Sequence, residues 1–514
     1  MGRFIANNSI VNALLKYSRL CVTHSCLEDL PGLGFPFDCN FIPDPDLTQL
    51  ARSRNNTQEF ITPIIGLTHT LSSPGALSII PKLFDHSIYP FDCLVCTSTC
   101  ALDSIKFQLE YYSSQISSNS QHTPLTPSVR HAPLGINLSD IRSSLLPRNE
   151  ARSRLSIPED AFVMLWTGRL EQHCKSNHVP YFQAFNALNK AYPDKDIYFL
   201  VYGTTVMPDL LEAFTSSSSS ICPDTNIIIY DGHDISLQPL LASASNIFIS
   251  LPDSFQETFG LTPIEAMACG LPVVGTNWNG YKDTIIPGRT GFLIPTLASF
   301  EFFHNNTLYE SFSHDVDTLD QSSYYASNQI SFDSSALFST LSSFLESPTL
   351  SLVMGDIAVR HIQDNFDWPS VVPLYDNIFL EMQDIRTLTP QVSLNYNSSH
   401  LLSRPPFYSC FNSWPTSLTS RATFYSSNTQ FSLEDLLLFL DLPLFAIYKS
   451  LAPFDSSILD VYQLFKTGSE LTFDQVDARL NFTIEPSLFS RSHEISRCLS
   501  FLLKYSFLTC FSYA

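Results

Sequence analysis

The chain has 514 residues, too many for one hydrophobic core, so two or three domains are expected. Its 28 basic and 49 acidic residues give a formal net charge of −21, and such an acidic surface repels nucleic-acid backbones and anionic membranes. Residues 1–20 contain no secretory signal, and no apolar run approaches the ~18 residues that span a bilayer. We therefore expect no nucleic-acid partner, no transmembrane segment and a cytoplasmic location.

The first part of the chain alternates helical and strand patterns. In chain order they predict a helix over 10–17, a strand over 19–23, a strand over 61–67, a helix over 75–84, a strand over 92–96, a strand and turn over 129–136, and a polar linker over 147–160. Such alternation is typical of an open parallel sheet with helices on both faces. We therefore predict an N-terminal Rossmann-like domain over 1–148.

Three cysteines lie in or beside one of these strands: Cys93, Cys96 and Cys100. A metal site is one interpretation, but no second pair of ligands stands at a suitable spacing. Cysteines in a reducing compartment commonly serve as small apolar core residues, and this interpretation is favoured. We expect no metal.

A second alternating pattern follows and predicts another doubly wound domain over 149–388. Its predicted strands are 162–166, 197–202, 227–230, 247–251 and 272–275, and its predicted helices are 181–191, 207–214, 237–244, 263–269, 337–345 and 368–382. Apolar runs of this length, separated by helical patterns, are typical of the buried strands of a parallel sheet.

The last part of the chain has a different composition. Residues 389–430 are rich in Ser, Pro, Asn and Tyr and predict a linker. Residues 431–514 predict a small helical, winged-helix-like module, with helices over 433–440, 458–465, 473–480 and 493–505 and a strand over 507–511. Acidic and apolar residues interrupt its basic residues, which favours a packing or protein-contact role over DNA binding.

The segment from 254 to 275 carries the most informative pattern. Thr262, Pro263 and Glu265 fit a capping box with proline at the first helical position. The free N–H groups of that helix start would form an anion site suited to phosphate or diphosphate. Glu257 and Glu265 flank this site, and carboxylates beside a diphosphate can accept hydrogen bonds from sugar hydroxyls. Taken alone, each glutamate has an equally acceptable structural role, as a helix cap or a loop acid.

The two glutamates with seven residues between them resemble the paired-glutamate motif of glycosyltransferase family 4, and segments 266–274 and 279–293 resemble the sequence that follows it. The resemblance covers about residues 60–295 well and 1–388 loosely. It implies an α/β GT-B fold, in which two Rossmann-like domains face a cleft. In that family the first glutamate contacts donor-sugar hydroxyls, loop N–H groups hold phosphate, and the second glutamate binds the ribose. Carried over, these roles fall on Glu257, on the backbone of Phe259, Gly260, Leu261 and Thr262, and on Glu265.

Two further segments resemble the same family. Residues 166–175 match its strand followed by Gly-Arg and Lys, so Arg169 and Lys175 become candidates for binding the leaving diphosphate. His69 follows a strand, where ligands approach an open sheet, and some family members have a histidine there that contacts the donor sugar. His69 and Glu257 are therefore the catalytic candidates. The alternatives are a solvated Arg and Lys in a loop, and a capping or packing histidine.

The N-terminus departs from the family pattern. The family begins with a strand that leads into a Gly-rich loop, whereas this chain begins at Met1-Gly2-Arg3, inside the corresponding loop. We expect the central first strand to be missing, either because the domain is rearranged or because the reading frame is shortened. In the second case the donor domain is retained and the acceptor side is impaired.

The resemblance implies a retaining glycosyltransferase that moves a hexose from a nucleotide diphosphate sugar to an unidentified hydroxyl acceptor, without metal or other cofactor. One alternative is another enzyme on the same two-domain plan, such as a sugar-nucleotide epimerase or a phosphorylase. The other is a non-catalytic sugar-nucleotide-binding protein that uses its terminal module to contact a partner. Sugar, base, acceptor and oligomeric state are not encoded in these motifs.

Overall fold

The structure is a computed structural model, and it describes residues 2–20, 38–57, 61–119, 124–172, 175–205, 207–223, 225–304, 319–389, 402–448, 455–465, 468–480 and 490–511. The chain forms two compact units. The first unit contains 1–138, 258–264 and 360–413, and the second unit contains 139–257, 265–359 and 414–514. Each unit therefore includes segments that are distant in sequence.

The strands are β1 (Asn40–Ile42), β2 (Ile64–Leu67), β3 (Cys93–Cys96), β4 (Ser128–His131), β5 (Phe162–Arg169), β6 (Ile197–Thr204), β7 (Asn226–Asp231), β8 (Ile247–Ser250), β9 (Val273–Thr276), β10 (Gly291–Ile294), β11 (Thr296–Ala298), β12 (Ile330–Phe332), β13 (Ser417–Leu418), β14 (Phe424–Ser427), β15 (Leu471–Thr472) and β16 (Leu508–Phe511).

The helices are α1 (Gly2–Tyr17), α2 (Thr48–Thr57), α3 (Pro74–Ile79), α4 (Thr99–Asn119), α5 (Leu138–Ser144), α6 (Arg148–Leu155), α7 (Val179–Ala191), α8 (Pro208–Ile221), α9 (Leu237–Ala244), α10 (Leu261–Ala268), α11 (Tyr281–Thr284), α12 (Phe300–His304), α13 (Leu319–Ser327), α14 (Ser334–Glu346), α15 (Pro348–Asn365), α16 (Trp368–Leu388), α17 (Leu433–Leu440), α18 (Pro443–Tyr448), α19 (Asp455–Gln463), α20 (Phe473–Arg479) and α21 (Arg491–Lys504). Short 3₁₀ helices cover Ile80–Phe84 and Tyr408–Phe411.

The first unit is built on a four-stranded sheet in the order β1-β2-β3-β4, and every pairing is parallel. Strands β2 and β3 are buried along their whole length, which fits their continuous apolar sequence. The three cysteines named above are buried, Cys93 and Cys96 in β3 and Cys100 at the start of α4. Of the predicted strand over 19–23, residues 21–23 lie outside the described residues, and Arg19 and Leu20 are not in a strand.

Helix α16 belongs to the first unit, whereas the sequence pattern placed it in the domain over 149–388. Its apolar face, which includes Val371, Tyr375 and Phe379, packs in one core with α1, β2 and β3. The indole of Trp368 donates to the Ser9 hydroxyl at 3.2 Å. The helical pattern predicted the element but gave no information about which sheet its apolar face would cover.

The second unit contains a six-stranded parallel sheet in the order β10-β9-β8-β5-β6-β7. From β5 the chain adds β6 and β7 on one side and then returns to add β8, β9 and β10 on the other. The strand order therefore reverses between β5 and β8, which is the doubly wound arrangement. The prediction of an α/β protein with parallel sheets is confirmed. Strand β5 is longer than the predicted strand and extends to Arg169, because Thr167–Arg169 pair with Tyr202–Thr204.

Two segments that were predicted as linkers contain ordered elements. Within 147–160, helix α6 carries the buried Arg152, whose guanidinium donates to the Ala244 carbonyl at 3.0 Å and to the Asn246 side chain at 2.8 Å. A polar composition therefore concealed a buried arginine satisfied by oxygen acceptors.

Residues 402–430 also differ from the predicted linker over 389–430. They contain the 3₁₀ helix at Tyr408–Phe411 and strands β13 and β14, and Trp414 is fully buried. The Trp414 ring lies 5.7 Å from Phe255 and 5.6 Å from Trp278. Aromatic side chains scattered among Ser and Pro supply enough buried area to order this segment.

The predicted C-terminal helices are present as α17, α19, α20 and α21, together with an antiparallel sheet in the order β15-β14-β16. Their apolar residues, such as Phe439 and Leu499, share one core with the six-stranded sheet. The Leu444 N–H donates to the Ser217 hydroxyl of α8 at 3.1 Å. The described residues between 431 and 511 therefore pack as part of the second unit. In the described part of the chain, no helix has the length and apolarity to cross a bilayer.

Candidate functional site

The carboxyl ends of β5 and β8 bring together residues from two loops of the second unit. Arg169 is the last residue of β5, and Lys175 follows in the next loop. Glu257 lies in the loop that follows β8. Because β5 and β8 are neighbouring parallel strands on either side of the order reversal, their carboxyl ends mark the switch point, where doubly wound sheets have the crevice that binds ligands.

Lys175 and Glu257 form an ion pair at this crevice. The Lys175 Nζ lies 2.7 Å from Glu257 Oε2, with side chains 32% and 12% exposed. The pair joins the loop after β5 to the loop after β8. Because the lysine side chain keeps access to solvent, its ammonium group can reach an incoming anion.

The loop that carries Glu257 is held by several contacts. The Asn279 side-chain amide donates to the Glu257 carbonyl oxygen, and Asn279 adopts a left-handed conformation with φ +42°. The Trp278 indole donates to the Ser254 carbonyl at 3.1 Å. The ring of Phe255, between these two anchor points, packs against Trp278 with centroids 5.1 Å apart. The Glu257 backbone is thus fixed by groups that follow β9.

Glu265 is half-buried on α10, and burial raises the pKa of its carboxyl to about 7, an effect that Lys175 partly opposes. A carboxyl with this pKa changes charge near neutral pH, and strongly shifted groups of this kind cluster at functional sites.

The start of α10 differs from the predicted capping box. The helix begins at Leu261, so Thr262 lies inside its first turn and is not the N-cap residue. Gly260 precedes the helix with φ +91°, a left-handed conformation that residues with a Cβ rarely adopt. The turn at Gly260 therefore sets the helix start two residues before Pro263.

Residues 258–264, with Phe259, Gly260, Leu261 and Thr262, group with the first unit. Thr258 donates through its hydroxyl to the His69 carbonyl at 2.5 Å. The His69 Nε2 lies 2.8 Å from the Pro43 carbonyl and, because a carbonyl only accepts, this nitrogen carries the proton. One ring nitrogen of His69 thus has a structural bond.

Arg169 is the least constrained of the candidates. Its side chain is 56% exposed, and its Nε lies 4.0 Å from the carboxylate of the buried Glu171. The structure brings Lys175 and Glu257 into contact, and it leaves the Arg169 guanidinium mostly in solvent.

Sequence reasoning missed a second charged pair beside this crevice. The Lys504 Nζ lies 2.7 Å from Asp253 Oδ2, and both side chains are buried. Asp253 is the only acid between β8 and Glu257, which was a usable signal, but nothing near Lys504 in the sequence points to it. Among the described residues, no group of His, Cys, Asp and Glu side chains is arranged to hold a metal ion.

Comparison with known families gives a match over the segment that contains most of these candidate residues. Residues 161–304 match the family described as Glycosyl transferases group 1. This group 1 segment runs from the residue before β5 through α12 and contains Arg169, Lys175, Glu257 and Glu265.

Two of the curated relatives match over stretches of 166 and 121 residues. A D-inositol 3-phosphate glycosyltransferase of Paenarthrobacter aurescens (strain TC1) is 34% identical over 166 residues, which is 32% of this chain and 38% of the relative. The alpha-1,3/1,6-mannosyltransferase of Schizosaccharomyces pombe is 29% identical over 121 residues, 23% of each chain. The chain spans 34% to 38% of the length of the inositol phosphate glycosyltransferases that it matches.

Similar solved structures include a sucrose-phosphate synthase and a protein in complex with UDP. The sucrose-phosphate synthase of Thermosynechococcus elongatus has a TM-score of 0.43 and 19% identity, and covers 73% of this chain and 82% of its own. Anabaena HepE in complex with UDP has a TM-score of 0.47 and 13% identity, and covers 69% and 81%.

Proposed function

We propose that the protein is a retaining glycosyltransferase of the family 4 type, with a GT-B arrangement, that transfers a hexose from a nucleotide diphosphate sugar to a hydroxyl acceptor. The observation that carries the proposal is the meeting of Lys175 and Glu257 at 2.7 Å where the strand order of the group 1 segment reverses. The Lys175 ammonium is suited to binding a diphosphate, and the Glu257 carboxylate is suited to accepting hydrogen bonds from sugar hydroxyls. Both lie at the switch point, where doubly wound sheets bind their ligands.

Donor binding would exchange the partners of this ion pair. Lys175 would turn to the diphosphate, where a point charge can offset the negative charge that develops as the phosphate departs. Glu257 would then accept hydrogen bonds from donor-sugar hydroxyls, which replace the ammonium group that it loses. Arg169 has the exposure needed to swing toward the same diphosphate and to bind it through two N–H groups.

Glu265 supports the nucleotide side of the proposal. An ionised carboxylate can accept hydrogen bonds from both hydroxyls of a ribose, and burial strengthens those bonds because water competes less. The N–H groups at the start of α10, from Leu261 and Thr262, would hold phosphate, as would those of Phe259 and Gly260. We also propose that His69 contacts a donor sugar, as the family resemblance implies.

Transfer with retention needs bond changes on one face of the sugar. The bond from the anomeric carbon to the diphosphate oxygen breaks, the bond to the acceptor oxygen forms, and the acceptor proton passes to the departing phosphate oxygen. Positioning and charge stabilisation would then be the contribution of the protein, and no metal or cofactor enters the step. The acceptor is a hydroxyl-bearing molecule whose identity the proposal leaves open.

Thermal unfolding with a panel of nucleoside diphosphates and their sugars tests the donor site. One nucleotide should raise the melting temperature of the wild type, and Glu265→Ala should lose most of that rise. Glu212→Ala is the matched control because Glu212 is an exposed glutamate on helix α8 of the same unit.

Three outcomes separate the candidate functions. A folded wild type that no nucleotide stabilises would contradict the donor site. Tight binding with neither transfer nor donor hydrolysis, after an acceptor screen, would favour a non-catalytic sugar-nucleotide-binding protein. Conversion of the donor sugar to its epimer would favour an epimerase.

A further inference from the structure

The end of helix α21 contacts the loop that leads to Glu257. The Lys504 Nζ lies 2.7 Å from Asp253 Oδ2 and 2.7 Å from the Ser327 carbonyl, and the two charged side chains are 0% and 3% exposed. Asp253 lies four residues before Glu257 in the same loop. A charged residue from the C-terminal part of the chain therefore anchors the loop after β8 from within the protein.

The next residue contacts the other loop of the site. The Asn177 side-chain amide donates to the Tyr505 hydroxyl at 2.5 Å, and the Gln183 amide donates to the Tyr505 carbonyl at 3.0 Å. Asn177 lies two residues after Lys175, and its own side-chain oxygen accepts from the Val179 N–H at 3.0 Å. Tyr505 thus fixes the point where the loop after β5 enters helix α7.

These two anchors converge on one ion pair. The loop held by Asp253 carries Glu257, and the loop held by Asn177 carries Lys175. A shift of either anchor would change the distance between the Lys175 ammonium and the Glu257 carboxylate, and small errors in the placement of binding groups are costly in catalysis.

We propose that Lys504 and Tyr505 are positioning residues for the sugar-nucleotide site, and that the C-terminal helix α21 aligns the two loops on which Lys175 and Glu257 lie. This inference rests on the function proposed above. It gives residues outside the group 1 segment a role in that segment's site, through contacts that all lie within the second unit.

The chemistry of the buried pair fits a positioning role better than a purely stabilising one. Removing two charges from water costs several kcal/mol, so a buried ion pair is often no more stabilising than apolar side chains of similar volume. Burial lowers the pKa of Lys504 and raises that of Asp253, which is the signature of this cost. The pair instead fixes the position of the loop relative to helix α21, because each buried charge is stabilised only where its partner lies.

The test uses two variants of the full chain. Tyr505→Phe removes one hydroxyl and keeps the ring. Lys504→Met with Asp253→Asn removes both charges, so that neither is left buried alone. The matched control is Arg497→Met with Glu494→Gln, which removes another buried ion pair on the same helix.

Three readouts are compared: melting temperature, nucleoside diphosphate affinity, and amide hydrogen exchange of residues 251–257 and 175–179. We expect both variants to fold, to bind the nucleotide about tenfold more weakly than wild type, and to exchange faster in the two loops. The control should lose a similar amount of stability and keep wild-type affinity and loop exchange.

The outcomes separate this inference from the proposed function. Folded variants with wild-type affinity, or with unchanged exchange in the two loops, overturn the positioning role. An affinity loss in the control equal to that in the variants also overturns it, because the effect would then follow from general destabilisation. A wild type that binds no nucleotide overturns the proposed function itself, and this inference with it, whatever the exchange rates are.

Discussion

Each unit contains a buried ion pair beside a parallel sheet, and the two pairs are built differently. In the first unit the Arg54 guanidinium contacts Asp92 at 2.6 Å, and both side chains are 0% exposed. Arg54 also donates to the Thr62 and Ser87 carbonyls at 2.6 Å, so these three partners lie 8 to 38 residues away along the chain. In the second unit Lys504 reaches Asp253 from a helix at the far end of the chain.

The surroundings of the two pairs also differ. Asp92 accepts from the Ile64 and Tyr89 N–H groups at 2.9 and 2.8 Å, so the first pair is part of a local hydrogen-bond network at the entry to strands β2 and β3. The second pair joins helix α21 to a loop that carries a candidate ligand-binding residue. A pair within a hydrogen-bond network of its own unit secures a fold, whereas a long-range pair beside a site controls where its loop lies.

Breaking the local pair should give the largest effect on stability. Arg54→Met leaves the Asp92 carboxylate buried without its cation, and we expect the free energy of unfolding to fall by about 3–5 kcal/mol. Urea unfolding measures this loss. The nucleotide affinity of the protein that remains folded should match wild type, in contrast to the double variant Lys504→Met with Asp253→Asn.

Arg52→Met is the control for this change. Arg52 lies two residues away on the same helix α2 and pairs with Asp85, but it is 63% exposed, so its removal should cost about 1 kcal/mol or less. Equal losses in the two variants would contradict the contrast between a buried and an exposed pair.

The same difference between local and long-range contacts determines what the sequence could predict about the fold. Strands β5, β8 and β9 are short apolar runs between helical patterns, and buried parallel strands have this local signature. The ordered elements within residues 402–430 were missed because Ser and Pro dominate the composition. A few aromatic residues such as Trp414 supply most of the buried apolar surface there. Helix α15 was not predicted at all, and the unit that α16 joins depends on contacts with distant residues.

The candidate site also contains residues that local motifs predict and residues that only long-range contacts place there. Glu257 and Lys175 could be named from local motifs, and the structure places them in contact. Lys504 could not be named, because its partner is far away in sequence and its own neighbours are apolar helix residues. The start of α10 was misplaced because the capping pattern at Thr262 was weighed above the glycine turn at Gly260. Local patterns encode elements and motif residues, whereas positioning contacts depend on the fold.

Replacing Glu257 should give the second-largest effect, and nucleotide binding and sugar transfer should change in opposite directions. Glu257→Gln removes the charge that faces Lys175 in the free protein. We expect a nucleoside diphosphate without sugar to bind as well as to wild type or more tightly, because the lysine no longer has to leave a carboxylate. Transfer from the complete donor should fall about 10²-fold, since a fixed group at the sugar is lost.

Calorimetric titration with the nucleotide and a transfer assay with the donor measure the two quantities. Glu212→Gln changes an exposed glutamate of the same unit and should leave both at wild-type values. Weaker nucleotide binding by Glu257→Gln would indicate that this glutamate supports the diphosphate rather than the sugar, and would contradict the role assigned to it.

The smallest predicted effect concerns pH and the Glu265 carboxyl, whose pKa burial raises to about 7 from 4.5. The folded protein binds this proton more tightly than the unfolded chain, so the contribution of Glu265 to stability decreases as pH rises from about 4.5 to 7. Nucleotide binding has the opposite sign, because the ionised carboxylate is the better acceptor for ribose hydroxyls. Affinity should therefore be full above pH 7 and fall by up to about tenfold per unit below it.

Nucleotide affinity measured from pH 5.5 to 8.5 for wild type and Glu265→Gln tests this prediction. The glutamine variant has no proton to lose there, so its profile reports only the titration of the nucleotide phosphate and of other groups. The difference between the two profiles should bend near pH 7 and be flat above it. Parallel profiles would remove Glu265 from the nucleotide site, and would leave the ion pair of Lys175 and Glu257 as the part of the proposal still supported by geometry.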